Sequence, residues 1–368
     1  MTDATTADQM PAHTPDALAG RLFDAANGAF DLLSIVLGDR LGLYRSLAGD
    51  GPATAAQLAA RNGIAERYAR EWLEQQAATG ILVTDDADRD PATRRFSLPD
   101  GHAQVLIDPE SPYSMVPVAR SVAAIATVMP QLIDAYRTGA GVEWADYGSE
   151  MIEAQGDFNR PWLMGSLGTH YLPAVPDVHE RLQADPPAQV ADVACGVGWA
   201  AIAIARAYPN VRVDGFDLDE SSVHLARANA AIAGVADRVN FEIRDAGDPA
   251  AAGRYDLVVM IEALHDVSRP VEALGAMRLM LAPGGTLIVA DERTGETFTA
   301  PASDLERLLY GFSALCCLPA AMNDPETSAT GTVMRPDTFR SYAQAAGFAG
   351  VEVLDLEHDQ FRFYRLGA

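Results

Sequence analysis

Hydrophobic spacing divides the chain into two halves. From Gln189 onward, short β-rich apolar runs alternate with helical stretches. The runs are QVADVAC, VRVDGFD, VNFEIRD, YDLVVMIEA, GGTLIVADE, VEVLDL and FRFYRLG. Helical segments end near Tyr208, Gly234 and Leu281, and another covers Pro336 to Gly347. Continuous apolar runs bounded by helices signal a mostly parallel sheet covered on both faces. An α/β domain of seven strands is therefore predicted over residues 185–368. Before it, apolar residues recur at the 3.6-residue period instead. Leu22, Phe23, Ala26, Phe30, Leu33, Val36 and Leu37 do so within Leu18–Leu47. That is much apolar surface for helices at a domain edge, and it predicts packing against a second subunit.

The next stretch has the punctuation of a helix-turn-helix. Thr54 precedes AAQLAARNGI with Gln57 three residues on, a capping box. Gly63 sits at the turn, and AERYAREWLEQQAATG forms a second helix closed at Gly80. ILVTDD, an acidic turn and RRFSLPDG then read as a two-stranded wing. Residues 18–108 are predicted to be a mostly helical winged-helix dimerisation domain. Residues 109–184 are predicted to be a helical linker capping a pocket, with breaks at Pro130, Gly139, Gly141 and Pro161. This linker is dense in Tyr, Trp and Met; ordinary core packing explains most of them, and some could wall a substrate pocket.

Charge narrows the choice of function. The 368 residues carry a formal net charge of −24, which opposes binding to a phosphate backbone. The second helix offers Arg67 and Arg70 against Glu66, Glu71 and Glu74, and the wing turn holds Asp85, Asp86, Asp88 and Asp90. No nucleic-acid partner is expected. No apolar run approaches the roughly 20 residues of a membrane span, so no membrane partner is expected either. The polar residues 1–17 read as a disordered leader without signal-peptide features. Three cysteines, Cys195, Cys316 and Cys317, are no disulfide framework, and a reducing cytoplasm fits them.

Chemistry concentrates after the first strand of the α/β half. VADVACGVGWAAIAIA runs from a buried strand through Cys195-Gly196-Val197-Gly198 straight into a helix. Two glycines permit a tight turn and close approach of a ligand to the backbone. Asp217 ends the next strand about twenty residues later, where a carboxylate can accept both ribose hydroxyls of a nucleoside. Asp219 or Ser221 is left to cap the following helix.

Taken in order, DVACGVG, GFDLD, the Asp-Ala pair of FEIRDA, YDLVVMIEALHD and LAPGGTLIVAD resemble the motifs of class I S-adenosylmethionine (SAM)-dependent methyltransferases. The resemblance covers residues 185 to 366. The winged-helix front makes the whole similar to the small-molecule O-methyltransferase type. It implies a Rossmann-like seven-stranded fold, SAM as cofactor and S-adenosylhomocysteine as product. Asp192 and the loop Ala194, Cys195, Gly196 and Gly198 would line the amino-acid part of SAM. Asp217 would hold the ribose, with Leu218 against the adenine. Asp245 would meet the adenine amino group with Ala246 flanking the ring. Glu262 would stand at the methionine end. Phe158-Asn159 loosely matches a motif that covers the cofactor. The loop departs from the family at Ala194, where glycine is usual.

The resemblance also offers His265, in IEALHDVS, as general base. A hydroxyl is a poor nucleophile until its proton leaves, and a neutral imidazole can take it. The sulfonium leaves as a neutral thioether and needs no acid. Asp291 would orient the base, with Asp266 and Glu292 as alternatives. The family's second orienting glutamate has no counterpart in TGTVMRPDTF. Cys316 and Cys317 fall in the segment that builds the substrate lid in that family. Adjacent cysteines lack the paired spacing of a zinc site, so no metal is expected. The expected reaction is methylation of a small molecule, first of an aromatic or natural-product hydroxyl. Transfer to nitrogen, carbon or a carboxylate is the enzymatic alternative, and a SAM-sensing winged-helix regulator the non-enzymatic one.

Overall fold

The computed structural model describes residues 13–248 and 252–367. The chain forms two compact units, one of residues up to 108 with 113–123, the other of residues 109–112 with 124 onward. Most of the predicted leader lies outside the described residues. Its end is helical instead, because Thr14 caps the first helix by accepting the Ala17 N–H and Pro15 opens it.

The first unit begins with α1 (Pro15–Arg40), α2 (Leu43–Asp50), α3 (Ala55–Asn62) and α4 (Glu66–Ala78). The capping box forms as predicted: Gln57 N–H donates to Thr54 Oγ1, and Thr54 N–H donates to Gln57 Oε1 at 3.0 Å. The wing is β1 (Val83–Thr84) paired antiparallel with β2 (Phe96–Ser97), and a bridge from Ala53 to Phe96 adds a third edge. Helix α5 (Asp100–Leu106) follows. The arginines of α4 pair with glutamates on their own helix, Arg70 with Glu66 at 2.9 Å and Arg67 with Glu71. Helix α1 packs on α2 and α4 through Gly38, where a Cβ would lie 2.4 Å from the Tyr44 ring. Its apolar stripe remains exposed, including Phe23 at 69% and Phe30 at 65%.

Helix α6 (Val116–Thr127) leads into the second unit, with α7 (Met129–Thr138) and α8 (Gly148–Trp162). Two predicted breaks behave differently. Pro130 sits in the first turn of α7 and starts it, since its missing N–H is not needed there. Pro161 does not end α8. It removes one rung, and the ladder resumes with π spacing over Leu163–Tyr171. Helix α9 (Pro176–Gln183) then precedes the sheet.

The sheet consists of β3 (Gln189–Val193), β4 (Arg212–Asp217), β5 (Val239–Ile243), β6 (Tyr255–Ile261), β7 (Leu281–Glu292), β8 (Glu352–Val353) and β9 (Phe361–Gly367). Their order is β5-β4-β3-β6-β7-β9-β8, parallel from β5 to β7, with antiparallel β9 against β7 and β8 against β9. Helices α10 (Trp199–Ala207), α11 (Glu220–Ile232), α12 (Pro270–Met280), α13 (Asp304–Phe312), α14 (Leu318–Ala321) and α15 (Pro336–Ala345) complete it. Alternate residues of one strand feed two cores. Leu257 and Val259 join one face with Ile202 and Ile204, while Val258 and Met260 join the other with Leu274 and Phe339. That is why these strands read as unbroken apolar runs. VEVLDL pairs over only two residues, because it is the outermost strand and only Leu354 and Leu356 of its later residues pack inward.

Candidate active site

Strand β3 pairs with β4 on one side and β6 on the other, so successive crossovers diverge between β3 and β6. A crevice at the carboxyl ends of such strands is where open sheets receive ligands. Strand β3 stops at Val193 because Ala194 turns left-handed, with φ +56°. Gly196 and Gly198 follow with φ +51° and +86°. At Gly198 a Cβ would strike the Phe241 ring at 2.6 Å, so only glycine fits. At Gly196 a Cβ would meet nothing within 4 Å, which leaves an open cradle over the turn. Cys195 N–H donates to Phe216 O at 3.0 Å and fastens the loop to β4. Helix α8 lies close over the loop at Gly156, where a Cβ would be 2.2 Å from Val197.

Asp217 is held by both of its oxygens. Oδ2 accepts the Gly196 N–H at 2.7 Å, and Oδ1 accepts the Asp219 N–H at 2.9 Å. Asp219 is the helix cap, accepting the Ser222 N–H at 2.7 Å. Each oxygen of Asp217 keeps a lone pair for a ligand hydroxyl. Burial raises its pKa. Leu218 beside it is 69% exposed, an apolar platform at the crevice edge. At the end of β5, Asp245 is exposed with Oδ1 on the Gly247 N–H at 2.7 Å, and Ala246 is half-buried.

Glu262 follows β6 with φ +52°, a second non-glycine residue in the left-handed region. Asn159 donates its amide to Glu262 Oε2, and burial pushes that carboxyl up to about 7. Glu292, buried at the end of β7, has its pKa raised by burial and then by the Glu262 charge. His265 is 2% exposed. Its Nδ1 lies 2.8 Å from Asp291 Oδ1, and its backbone N–H donates to Asp291 Oδ2 at 3.4 Å. Asp291 Oδ1 also accepts the Glu292 N–H at 2.9 Å. In the neutral form of the ring Nδ1–H goes to Asp291 and Nε2 carries the lone pair. It faces Asp266 Oδ1 at 3.3 Å and the Cys317 thiol. Burial works to lower the imidazole pKa, but the Asp266 and Asp291 carboxylates outweigh it and raise it well above the ordinary value.

Residues 185–335 match the family model described as a methyltransferase domain, and residues 29–107 match an Rv2258c-like winged HTH domain. The chain carries a SAM-dependent methyltransferase domain behind a winged HTH domain. Its sequence is 27% identical over 167 residues to ajmaline N-methyltransferase of Rauvolfia serpentina, which is 43% of this chain and 56% of that enzyme. The chain thus spans about half the length of this curated relative. The solved structure of mitomycin 7-O-methyltransferase MmcR aligns over 96% of this chain and 98% of its own, with TM-score 0.66 and 22% identity. Human N-acetylserotonin methyltransferase in complex with SAM aligns over 97% and 99%, with TM-score 0.68 and 17% identity. At these identities the two structures share the fold.

The structure gives the remaining candidate residues the following contacts. Asp192 is 1% exposed, and its Oδ2 accepts the Ala201 N–H of α10 at 2.9 Å. It braces the loop against the helix. Asn159 has both ends engaged, with Glu262 and with Trp162 Nε1–H at 2.9 Å, so it positions Glu262. Phe158 is half-buried on α8. Among the three candidate orienting carboxylates, Asp291 is the one on Nδ1.

Cys317 is the residue that sequence reasoning missed. It lies at the end of a π-helical stretch, Ser313–Cys317, anchored by Tyr136 Oη–H and Tyr147 Oη–H donating to Ala314 O and Leu315 O. Its thiol meets His265, although the two lie far apart in sequence. The cradle at Gly196, the two lone pairs of Asp217, the platform of Leu218 and the buried acidity of Glu262 fit a nucleoside with a cationic tail, as in SAM.

Proposed function

We propose that this domain methylates a hydroxyl of a small aromatic or natural-product molecule, with His265 as general base. The buried His265–Asp291 pair, 2.8 Å apart at the crevice, carries the reading. SAM, when bound, supplies a methyl group on a sulfonium and leaves as S-adenosylhomocysteine. Asp217 holds the ribose hydroxyls, Leu218, Asp245 and Ala246 the adenine, and the loop Ala194–Gly198 with Glu262 the methionine end. In its neutral form, which the raised pKa reserves for the alkaline side, His265 takes the acceptor proton at Nε2, and Asp291 stabilises the resulting imidazolium across Nδ1–H. Such a base contributes roughly 10²- to 10⁴-fold. The O-methylating name of MmcR agrees with this reading.

Transfer to nitrogen is the second reading, favoured by the name of the ajmaline relative. A free amine offers its own lone pair, so His265→Ala separates the two: oxygen transfer collapses and nitrogen transfer survives. Calorimetric titration with SAM tests the cofactor site. Asp217→Ala removes two charge-assisted acceptors and weakens binding by about 10-fold or more. If the unmodified chain fails to bind at millimolar SAM, the reading is wrong.

A homodimer through α1 belongs to the same proposal. Leu18, Leu22, Phe23, Phe30, Leu33 and Leu37 are exposed on one arc of about 140°. Together they expose on the order of 600 Å² of apolar surface, at the upper end of what a monomer carries. A second copy of the same helix matches that stripe. The pairing of the α4 arginines with their own glutamates argues against a nucleic-acid partner.

A further inference from the structure

We propose that His265 Nε2, Asp266 and Cys317 Sγ form a binding site for a soft divalent cation of the zinc class. The inference goes beyond the methyl-transfer reading and does not need it. The three ligand atoms lie within 4.8 Å of one another. A tetrahedral zinc with bonds of about 2.0–2.3 Å separates its ligands by roughly 3.3–3.8 Å. Nε2 and Asp266 Oδ1 already stand 3.3 Å apart, and the thiol needs to approach by about 1.3 Å at most. The ligand set, one imidazole, one thiolate and one carboxylate, leaves a fourth position for water.

Two observations make the cluster more than proximity. Asp266 Oδ1 is a buried acceptor outside any regular hydrogen bond, and the groups it faces are the other two ligand groups, His265 Nε2 at 3.3 Å and the Cys317 thiol. The supporting imidazole is also set for a metal: Nδ1–H is fixed on Asp291 at 2.8 Å, which leaves Nε2 as ligand and raises its basicity. Thiol, imidazole and Asp291 in line also resemble a nucleophilic triad. Asp266 argues against that use, because its negative charge opposes a free thiolate beside it. A dication reverses the sign, welcoming both anions at once, and the thiol proton and the Nε2 proton of the imidazolium leave to solvent. Occupation takes the Nε2 lone pair, so the metal and the proposed base role exclude each other.

The test is titration of the full chain, freed of metal by chelator, with Co²⁺ as spectroscopic probe and then Zn²⁺ in competition. The expected result is a 1:1 thiolate-to-cobalt charge-transfer band displaced by zinc. It persists in Cys316→Ser and disappears in Cys317→Ser, while Asp266→Asn weakens binding by about 10-fold or more. Circular dichroism confirms that each variant is folded. Absence of the band in the native chain overturns the proposal. So does a band that survives Cys317→Ser or follows Cys316. Methyl transfer assayed in chelator reports the base separately, so either idea can fail alone.

Discussion

Replacing Asp291 by asparagine isolates the charge behind His265 while keeping its shape. Asp291 Oδ1 serves two donors, His265 Nδ1–H at 2.8 Å and the Glu292 N–H at 2.9 Å, and Oδ2 takes a weak one at 3.4 Å. The Asn carbonyl oxygen therefore settles in the Oδ1 position, where it keeps two good bonds and gives up the long one. The opposite orientation sets an NH₂ against both strong donors. The imidazole thus retains its tautomer and loses only the carboxylate that stabilises its protonated form. A hydrogen bond to a charged group is worth about 1.5–3 kcal/mol, against 0.5–1.5 for a neutral one. The difference, about 1–2 kcal/mol, lowers kcat by roughly 5- to 30-fold.

The assay needs an acceptor, found by screening hydroxylated aromatics with methyl-labelled SAM. Single-turnover rates at saturating SAM then separate chemistry from binding, and calorimetry gives the SAM affinity. A fall in rate with unchanged SAM affinity is expected. A rate within twofold of native means the carboxylate does not support a charged His265, and the base assignment fails with it. A loss that tracks SAM affinity instead moves Asp291 from the chemistry to the cofactor.

Two further outcomes follow from other parts of the chain. His358 Nδ1 accepts the Gln360 and Phe361 N–H groups at 3.1 and 3.2 Å, and burial lowers its pKa. The unfolded chain therefore binds a proton first as pH falls below about 6.5, so stability is lost on the acid side. Thermal melts from pH 7.5 to 5 should fall less steeply for His358→Asn, whose carbonyl can still accept, and equal slopes refute the assignment. On α1, Phe23→Glu with Phe30→Glu should turn a dimer into a monomer in sedimentation velocity, with the circular dichroism spectrum unchanged. A native chain that sediments as a monomer refutes the dimer.

What the sequence made legible is what local physics dictates. The β3 turn shows because a glycine-rich switch from strand to helix has few other uses, and Asp217 shows because it ends the next strand. The capping box of α3 is written in Thr54 and Gln57 and forms as read. Pro161 misled, because a proline removes only one rung and π spacing absorbs the loss within a packed helix. The contacts of Asn159 and Cys317 were hidden for another reason. Asn159 acts on Glu262, and Cys317 meets His265, across long separations that no periodicity encodes. Judging Cys317 against its neighbour Cys316 concealed its real companions. Ala194 looked like a small departure from glycine, yet its φ of +56° shows the strain that glycine avoids.

The same details decide which nucleotide the crevice suits. A glycine turn leading into a helix is also the usual cradle for a pyrophosphate, which sits on the free N–H groups of the helix. In α10 one of those groups is already taken, because Asp192 Oδ2 accepts the Ala201 N–H from within the fold. Further along the crevice, burial raises the carboxyl pKa values of Asp217, Glu262, Asp266 and Glu292, an arrangement that disfavours anions and gains from a cation. Ammonium and sulfonium groups relieve that crowding, and a pyrophosphate would deepen it. The glycine loop is thus ambiguous by itself, and the carboxylates around it select SAM over a dinucleotide.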